Sequence, residues 1–398
     1  ACGFGRMEKF QIGGTDVRMI LIKNPAGCKQ VLNFLTQRSE PFTFVTCLND
    51  RMQDGKDVSW IWDVDFERLA AGRLSESSFN DNKPLPSTGE MLHVTLETDV
   101  PASPGLEYAF NPPRPFLPVP EHRDERCEEI ISIQTAGIAK RMEHARVQRL
   151  VIGISGGLDS TLALLICARA CRLLGRPASD ILAVTMPGFG TTDRTRSNAV
   201  RMCRLLGAEL REIPISDACL QHFRDIGHDP AERTTTYENV QARERTQILM
   251  DLANKTRGLV VGTGDLSEIA LGWSTYNGDH MSMYAVNCSI PKTLIRCLIE
   301  HIAKESEPEL AATLVDISNT PVSPELLPPS DDGTIEQRTE DVLGPYDLHD
   351  FFLFHFIKYG APPNKILYLA EHAFRNEFQP EFIRRCLDIF IRRFFQQQ

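Results

Sequence analysis

From residue 153 the chain reads "GISGGLDST", a run of small and polar residues directly behind an apolar stretch. Ser155, Gly156 and Gly157 allow main-chain N–H groups to approach an anion closely. A helix beginning at Leu158 adds the positive end of its dipole. The run lacks the GK[ST] ending of a P-loop. Asp159 is out of place in a simple anion cradle, because a carboxylate repels phosphate. It makes sense if Mg2+ lies between the carboxylate and the phosphates. The alternative at this point is a Gly-Gly turn with Asp and Ser at a helix start.

A second group of chemical residues follows in "GLVVGTGDLSEIALGWSTYNGDH", which sets Thr263, Asp265, Ser267 and Glu268 just beyond an expected strand. Loops at the carboxyl ends of strands share one crevice in an open parallel sheet. Asp159 and Glu268 are therefore the expected holders of one metal ion, with Thr263 against the nucleotide. "YENVQARERTQIL" carries Asn239, Arg243 and Arg245 on an expected helix. Asn239 and Arg243 are four apart and share a face, as a site for a phosphorylated ligand needs. The competing reading is a solvated helix face.

These residues need elements to hold them. The expected strands are 149–154, 180–186, 209–213 and 258–263, with helices at 158–174, 193–206 and 238–256. Residues 128–142 and 334–398 also read as helical. Strand and helix alternate with short connections, which predicts an α/β fold, a doubly wound parallel sheet covered on both faces. Upstream, "VRMILI" reads as a strand and "GCKQVLNFLTQ" as a helix. Residues 73–120 are rich in Pro, Ser and Asn and read as an extended linker containing one strand, "MLHVTLET".

At 398 residues there is room for two or three domains. The net charge of -10 argues against nucleic acid as a partner. No apolar run reaches 18 residues, so no membrane helix is expected. The start at Ala1, without Met or a signal-peptide pattern, reads as a processed or cut-out chain. Eleven cysteines lie scattered with no CxxC pair. Cys167 and Cys171 are four apart on a helix, and apolar filler outweighs a metal site there. A reducing cytoplasm is the expected compartment.

From about 105 to 395 the chain resembles the synthetase domain of glutamine-dependent NAD synthetases, which are N-type ATP pyrophosphatases. "GISGGLDST", "MPGFGTT", "YENVQARERT", "GTGDLSEIALGWSTY", "IPKTLI", "SPELLP" and "LGPYDLHDFFLF" carry the resemblance in family order. It implies an adenine nucleotide alpha hydrolase-like fold and an NAD synthase, a ligase that amidates deamido-NAD with ATP and Mg2+, releasing AMP and pyrophosphate. The missing lysine then has an explanation, since the bond cut is α–β rather than β–γ. By the resemblance, Gly153, Ser155, Gly156, Gly157, Leu158, Asp159, Ser160 and Thr263 face ATP. Asn239, Glu268, Trp273, Ser274, Thr275 and Tyr276 face deamido-NAD. Asp159, Glu268 and Arg243 are the implied catalytic residues, and Asp159 and Glu268 the metal ligands. A homodimer through the synthetase domain is also implied.

The family's nitrilase-like glutaminase, with its Glu-Lys-Cys triad, is not recognised here, although "ERLAAGRLSESSF" resembles the segment that follows it. The chain stops after "FIRRFFQQQ", before a basic family segment whose lysine reaches substrate. Free ammonia is thus the expected nitrogen donor, with a separate glutaminase as an alternative source and impaired turnover as a risk.

Residues 1–72 resemble part of a second family, the C-terminal domain of MurT, the Mur-ligase-like subunit that amidates lipid II in peptidoglycan synthesis. "GRME", "KNPAG" and "DGKDVSWIWD" carry this likeness. Arg6, Glu8, Lys23, Asp54 and Asp57 read as surface charges in a fragment without an active site. The expected order is a MurT-type fragment (1–72), a linker (73–120) and the synthetase domain (121–398), joined near Asp63–Arg73. Two rivals remain: a MurT-type lipid II amidating subunit, which lacks its GxxGK[ST] loop, and a catalytically dead fusion or scaffold.

Overall fold

Strand alternation builds the layers of the larger unit. The computed structural model describes residues 7–12, 15–20, 72, 106, 111–191, 193–320 and 339–396. Five parallel strands form one sheet: β3 (Arg149–Gly153), β4 (Ile181–Thr185), β5 (Glu209–Glu212), β6 (Gly258–Gly262) and β7 (Tyr284–Ala285), in the order β5-β4-β3-β6-β7. The register aligns Leu150 with Ile181 and Leu259, and Val151 with Leu182 and Val260. Successive side chains point to opposite faces. Leu150, Ile152, Ile181, Ala183, Leu259 and Val261 accordingly enter one core, and Val151, Leu182, Val184 and Val260 another.

The first core is covered by α1 (Arg123–Ala145), α2 (Leu158–Leu173), α3 (Asp193–Leu206), α7 (Lys292–Lys304) and α8 (Pro308–Ser318). The opposite core is closed by α4 (Ser216–Ile226) and α5 (Thr235–Thr256), through Phe223, Tyr237 and Val240. A sheet buried on both faces explains why its strands read as continuous apolar runs. The doubly wound parallel α/β fold expected from sequence is therefore present. The four strands expected for the sheet lie within one residue of β3–β6, and α2, α3 and α5 within three of their expected bounds, whereas the helix expected at 128–142 begins five residues earlier, at Arg123.

A third core is all helical. The short α6 (Leu266–Leu271) brings Ala270 and Leu271 against α9 (Thr339–Leu343), α10 (Tyr346–Tyr359), α11 (Pro363–Ala373) and α12 (Pro380–Gln396). In α12, Ile383, Cys386, Leu387 and Phe390 recur every three or four residues and are all buried. Residues 111–119, assigned to the linker by composition, pack on this helical layer. Arg114 pairs with Asp347 at 2.6 Å and Glu377 at 2.9 Å, and Phe116 meets Phe354 edge-on at 5.2 Å. Apolar and charged anchors override the loop-like composition here.

Residues 1–70 and 80–110 form a second compact unit. Its described part is an antiparallel pair, β1 (Met7–Ile12) and β2 (Thr15–Ile20), in register from Met7 with Ile20 to Ile12 with Thr15. The helix expected at "GCKQVLNFLTQ", the strand "MLHVTLET" and residues Arg6, Lys23, Asp54 and Asp57 lie outside the described residues.

Candidate active site

The chain leaves β3 and β6 at adjacent positions in the sheet, while the strand order runs outward from β3 in both directions. This is the switch point at which open α/β sheets form a ligand crevice. The loop after β3 delivers the Ser155–Ser160 run. Gly156 has φ +88, and a Cβ there would lie 2.2 Å from the Thr195 carbonyl oxygen, so only glycine fits. The Gly157 N–H donates to Ser155 Oγ at 3.1 Å, and Thr161 Oγ1 donates to the Gly157 carbonyl at 2.8 Å. The result is a tight turn that feeds the N-terminus of α2.

Beyond β6, Asp265 caps α6 by accepting from the Glu268 N–H at 2.8 Å. Asp159, Asp265 and Glu268 each offer one carboxylate oxygen, and these three lie within 4.8 Å of one another. Among them sits the ammonium of Lys292, the first residue of α7. Its Nζ is 2.7 Å from Asp159 Oδ2, 2.7 Å from Asp265 Oδ2 and 2.9 Å from Glu268 Oε1. Asp265 is fully buried and Lys292 nearly so, whereas Asp159 and Glu268 keep some solvent contact. Burial pushes the Asp265 carboxyl well above the carboxylate range, against the pull of Lys292, and raises Glu268 as well. For Lys292, burial alone would favour the neutral amine. The three carboxylates outweigh it and hold the ammonium well above the ordinary lysine range.

Three carboxyl groups face one ammonium, so acidic groups outnumber the cation. Asp159 Oδ1 is also buried without a hydrogen-bond partner. Hard oxygens, a surplus of acidic groups and an unused acceptor fit a Mg2+ ion.

Asn287, fully buried, fastens the two loops together. Its Nδ2 donates to the Asp159 carbonyl at 2.9 Å and the Thr263 carbonyl at 3.1 Å, while Gln134 Nε2 donates to its Oδ1 at 3.2 Å. Asn239 and Arg243 do share a face of α5. Both engage the loop after α6: Thr275 Oγ1 donates to Asn239 Oδ1 at 3.0 Å, and the Arg243 guanidinium donates to the Tyr276 carbonyl at 3.2 Å. Tyr276 is 76% exposed, with the His280 ring stacked 6.2 Å from its own, and Ser274 is exposed beside it. Trp273 is half-buried under Arg393, whose guanidinium lies 5.0 Å from its ring. Arg245 reaches the Met186 carbonyl at 3.3 Å. Cys167 and Cys171 are buried core thiols, and burial pushes both up, Cys171 to about 11.

Sequence reasoning gave roles to Asp159 and Glu268, named Asp265 without one, and passed over Asn287 and Lys292. Asp265 and Glu268 stand at the spacing of a helix-capping pair, which hides a carboxylate with a second role. "IPKTLI" was visible as a motif, but nothing local says that its lysine crosses to Asp159, 133 residues earlier.

The family model described as NAD synthase matches residues 130–379, and that described as MurT ligase C-terminal matches residues 21–81. The glutamine-dependent NAD(+) synthetase of Mycobacterium leprae is 40% identical over 384 residues, covering 87% of this chain and 55% of that protein. The one from Thermotoga maritima is 31% identical over 260 residues, 63% of this chain and 42% of that protein. The chain spans about half the length of the curated relatives it matches. A glutamine-dependent NAD(+) synthetase from Cytophaga hutchinsonii shares the fold, with a TM-score of 0.56 at 17% identity over 68% of this chain and 49% of that one.

Proposed function

The chain belongs to the NAD synthase family, and from that premise we propose that it amidates deamido-NAD using ATP. The nicotinate carboxylate attacks the α-phosphorus of ATP, the α–β bond breaks and pyrophosphate leaves. Ammonia then adds to the activated carbonyl, and AMP departs with the C–O bond. A carboxylate is a poor acyl donor until its oxygen becomes a good leaving group, which is what the ATP supplies.

The observation that carries this reading is the trio of carboxylates around Lys292 at the switch point, with one buried oxygen, Asp159 Oδ1, left unpartnered. Asp159, Asp265 and Glu268 would hold Mg2+, which offsets negative charge on the phosphates. The Ser155–Ser160 turn and the start of α2 offer N–H groups to the pyrophosphate. Lys292 supplies from α7 the positive charge that the loop itself lacks, and Thr263 lies on the same crevice for the nucleotide. Asn239, Arg243 and the Trp273–Tyr276 loop form the deamido-NAD side, with Tyr276 offering a flat surface for a ring.

The nitrogen arrives as ammonia, either free or released by a glutaminase. Of the eight cysteines described, seven are buried, and burial raises the thiols of Cys127, Cys167, Cys171, Cys203, Cys219, Cys297 and Cys386. A thiol that attacks glutamine needs the opposite shift. Among the described residues no helix is long and apolar enough to cross a membrane. Small molecules are the proposed partners, and a homodimer in a reducing cytoplasm the proposed state.

Exchange of labelled pyrophosphate into ATP tests the first half-reaction without any nitrogen donor. Exchange should require both deamido-NAD and Mg2+, and it should disappear in Asp159→Asn with the melting temperature shifted by only a few degrees. Absence of exchange in the wild-type chain would favour a scaffold. Undiminished exchange in Asp159→Asn would remove that carboxylate from the mechanism.

A further inference from the structure

We propose a second metal site, between α1 and α7 and separate from the crevice, that takes a borderline divalent transition-metal ion such as Zn2+ on His301, Glu128 and Glu305. His301 is 4% exposed. Its Nδ1 lies 3.2 Å from Asp124 Oδ1, and an ionised carboxylate can only accept, so the ring proton belongs on Nδ1. The lone pair on Nε2 is then free, and Nε2 has no hydrogen-bond partner.

That nitrogen points between two carboxylates, 3.7 Å from Glu128 Oε2 and 3.8 Å from Glu305 Oε1. Both gaps are too long for hydrogen bonds. Donors bound to one tetrahedral Zn2+ at about 2.0–2.2 Å lie roughly 3.3–3.6 Å apart. Relaxation by a few tenths of an ångström closes the site. Glu128 Oε2 is itself buried and without a hydrogen-bond partner.

Helix geometry sets this arrangement. Asp124 and Glu128 are four apart on α1, and His301 and Glu305 four apart at the end of α7, so each pair shares a face. Arg169 on α2 donates to the other Glu128 oxygen, Oε1, at 2.6 Å and lies 3.9 Å from Glu305 Oε2. It thereby orients Glu128 with Oε2 toward the imidazole. Lys304 lies 3.6 Å from Asp124 Oδ1. A carboxylate behind a ligating imidazole, and a second group fixing a ligating carboxylate, are the supports that metal sites use. The imidazole excludes Ca2+ and Mg2+ as the natural occupants and favours Zn2+. An ion there would clamp α1 to α7, the helix that carries Lys292.

The test is a calorimetric Zn2+ titration of the full chain in the Asp159→Asn background, with excess Mg2+ to suppress the first site. One Zn2+ should bind per chain. Its affinity should fall at least about tenfold on adding His301→Gln or Glu128→Gln, and to a similar degree with Asp124→Asn. X-ray absorption of the Zn2+ form should show imidazole scattering, a readout that survives if the His301 variant fails to fold. Glu305→Gln, an exposed change at a helix end, supplies a further variant. Equal binding with and without His301, or a bound ion with no imidazole in its shell, overturns the proposal and leaves an ordinary ion-paired histidine.

Discussion

An ammonium enclosed by three carboxylates is stable only while its partners stay charged, and the reverse also holds. Removing one member of a buried ion pair costs about 3–5 kcal/mol, because the other charge is left uncompensated. Lys292→Met keeps the length of the side chain and deletes its charge, so Asp159, Asp265 and Glu268 would face one another directly. The variant should melt well below the wild type without divalent ions. Mg2+ should then raise its melting temperature more than it raises that of the wild type, because it replaces the lost positive charge. An equal rise in both proteins would show that the carboxylates do not hold the ion. At this scale the sequence disclosed residue types better than partnerships. Asp159 stood out because a carboxylate is wrong for a bare phosphate cradle. Lys292 did not, because a lysine opening a helix behind a proline is ordinary until the fold carries it to the switch point. Asn287 gave no signal, since its work of joining two carbonyls is visible only in three dimensions.

Helices, rather than strands, carry the crevice onto the third core, and a buried carboxylate joins them. Asp350 on α10 accepts from Ser267 Oγ on α6, from the Thr293 N–H at 3.0 Å and from Thr293 Oγ1 at 2.6 Å on α7. Burial raises its carboxyl from 3.8 to about 6, more than these hydrogen bonds lower it. An acid whose folded pKa is raised binds its proton more firmly in the native state. Stability is therefore lost as pH climbs from about 4 to about 6, and the loss is constant above that. Two units correspond to a change on the order of 3 kcal/mol. Asparagine can still accept from Thr293 and donate to Ser267, without carrying charge. Wild type should thus lose stability relative to Asp350→Asn across pH 4–6, with no further divergence above about pH 7. Denaturant melts of both proteins along that range check this, and parallel curves would mean that Asp350 does not titrate there. Elements proved more readable than their junctions. The five-residue strands β3, β4 and β6 and the spacing of α2, α3 and α5 announce themselves by period. The two-residue β7 and six-residue α6 are too short to show one. Residues 111–119 were misjudged because Pro and Asn describe their lack of regular structure and say nothing of the anchors Arg114 and Phe116.

On the scale of the whole molecule, the residues proposed for ATP, Mg2+ and deamido-NAD lie between Gly153 and Lys292, and all three cores are built from residues beyond 116. The larger unit therefore contains its own cores and its own candidate site. Upstream, two likenesses meet. The MurT ligase C-terminal model matches 21–81, yet the Mycobacterium leprae relative covers 87% of this chain, more than residues 121–398 amount to. Some of the stretch before residue 121 thus shares the likeness of the synthetase, and a clean junction between two unrelated pieces is too simple. What that stretch contributes is a kinetic matter. A chain beginning at residue 106 retains Asn111, which donates to the Leu369 carbonyl at 2.8 Å, and Arg114 with its two carboxylates. It should fold, and its ammonia-dependent rate of NAD formation should stay within about tenfold of the full chain, equivalent to about 1.4 kcal/mol in the barrier. The rate of both should rise with pH as NH4+ gives way to NH3, since only the free base carries the attacking lone pair. Melting temperature measured alongside separates the two ways of failing. A slow chain that also melts early has lost packing on α10 and α11. A slow chain with an unchanged melt would mean that residues before 106 reach the active site and complete it, against the prediction.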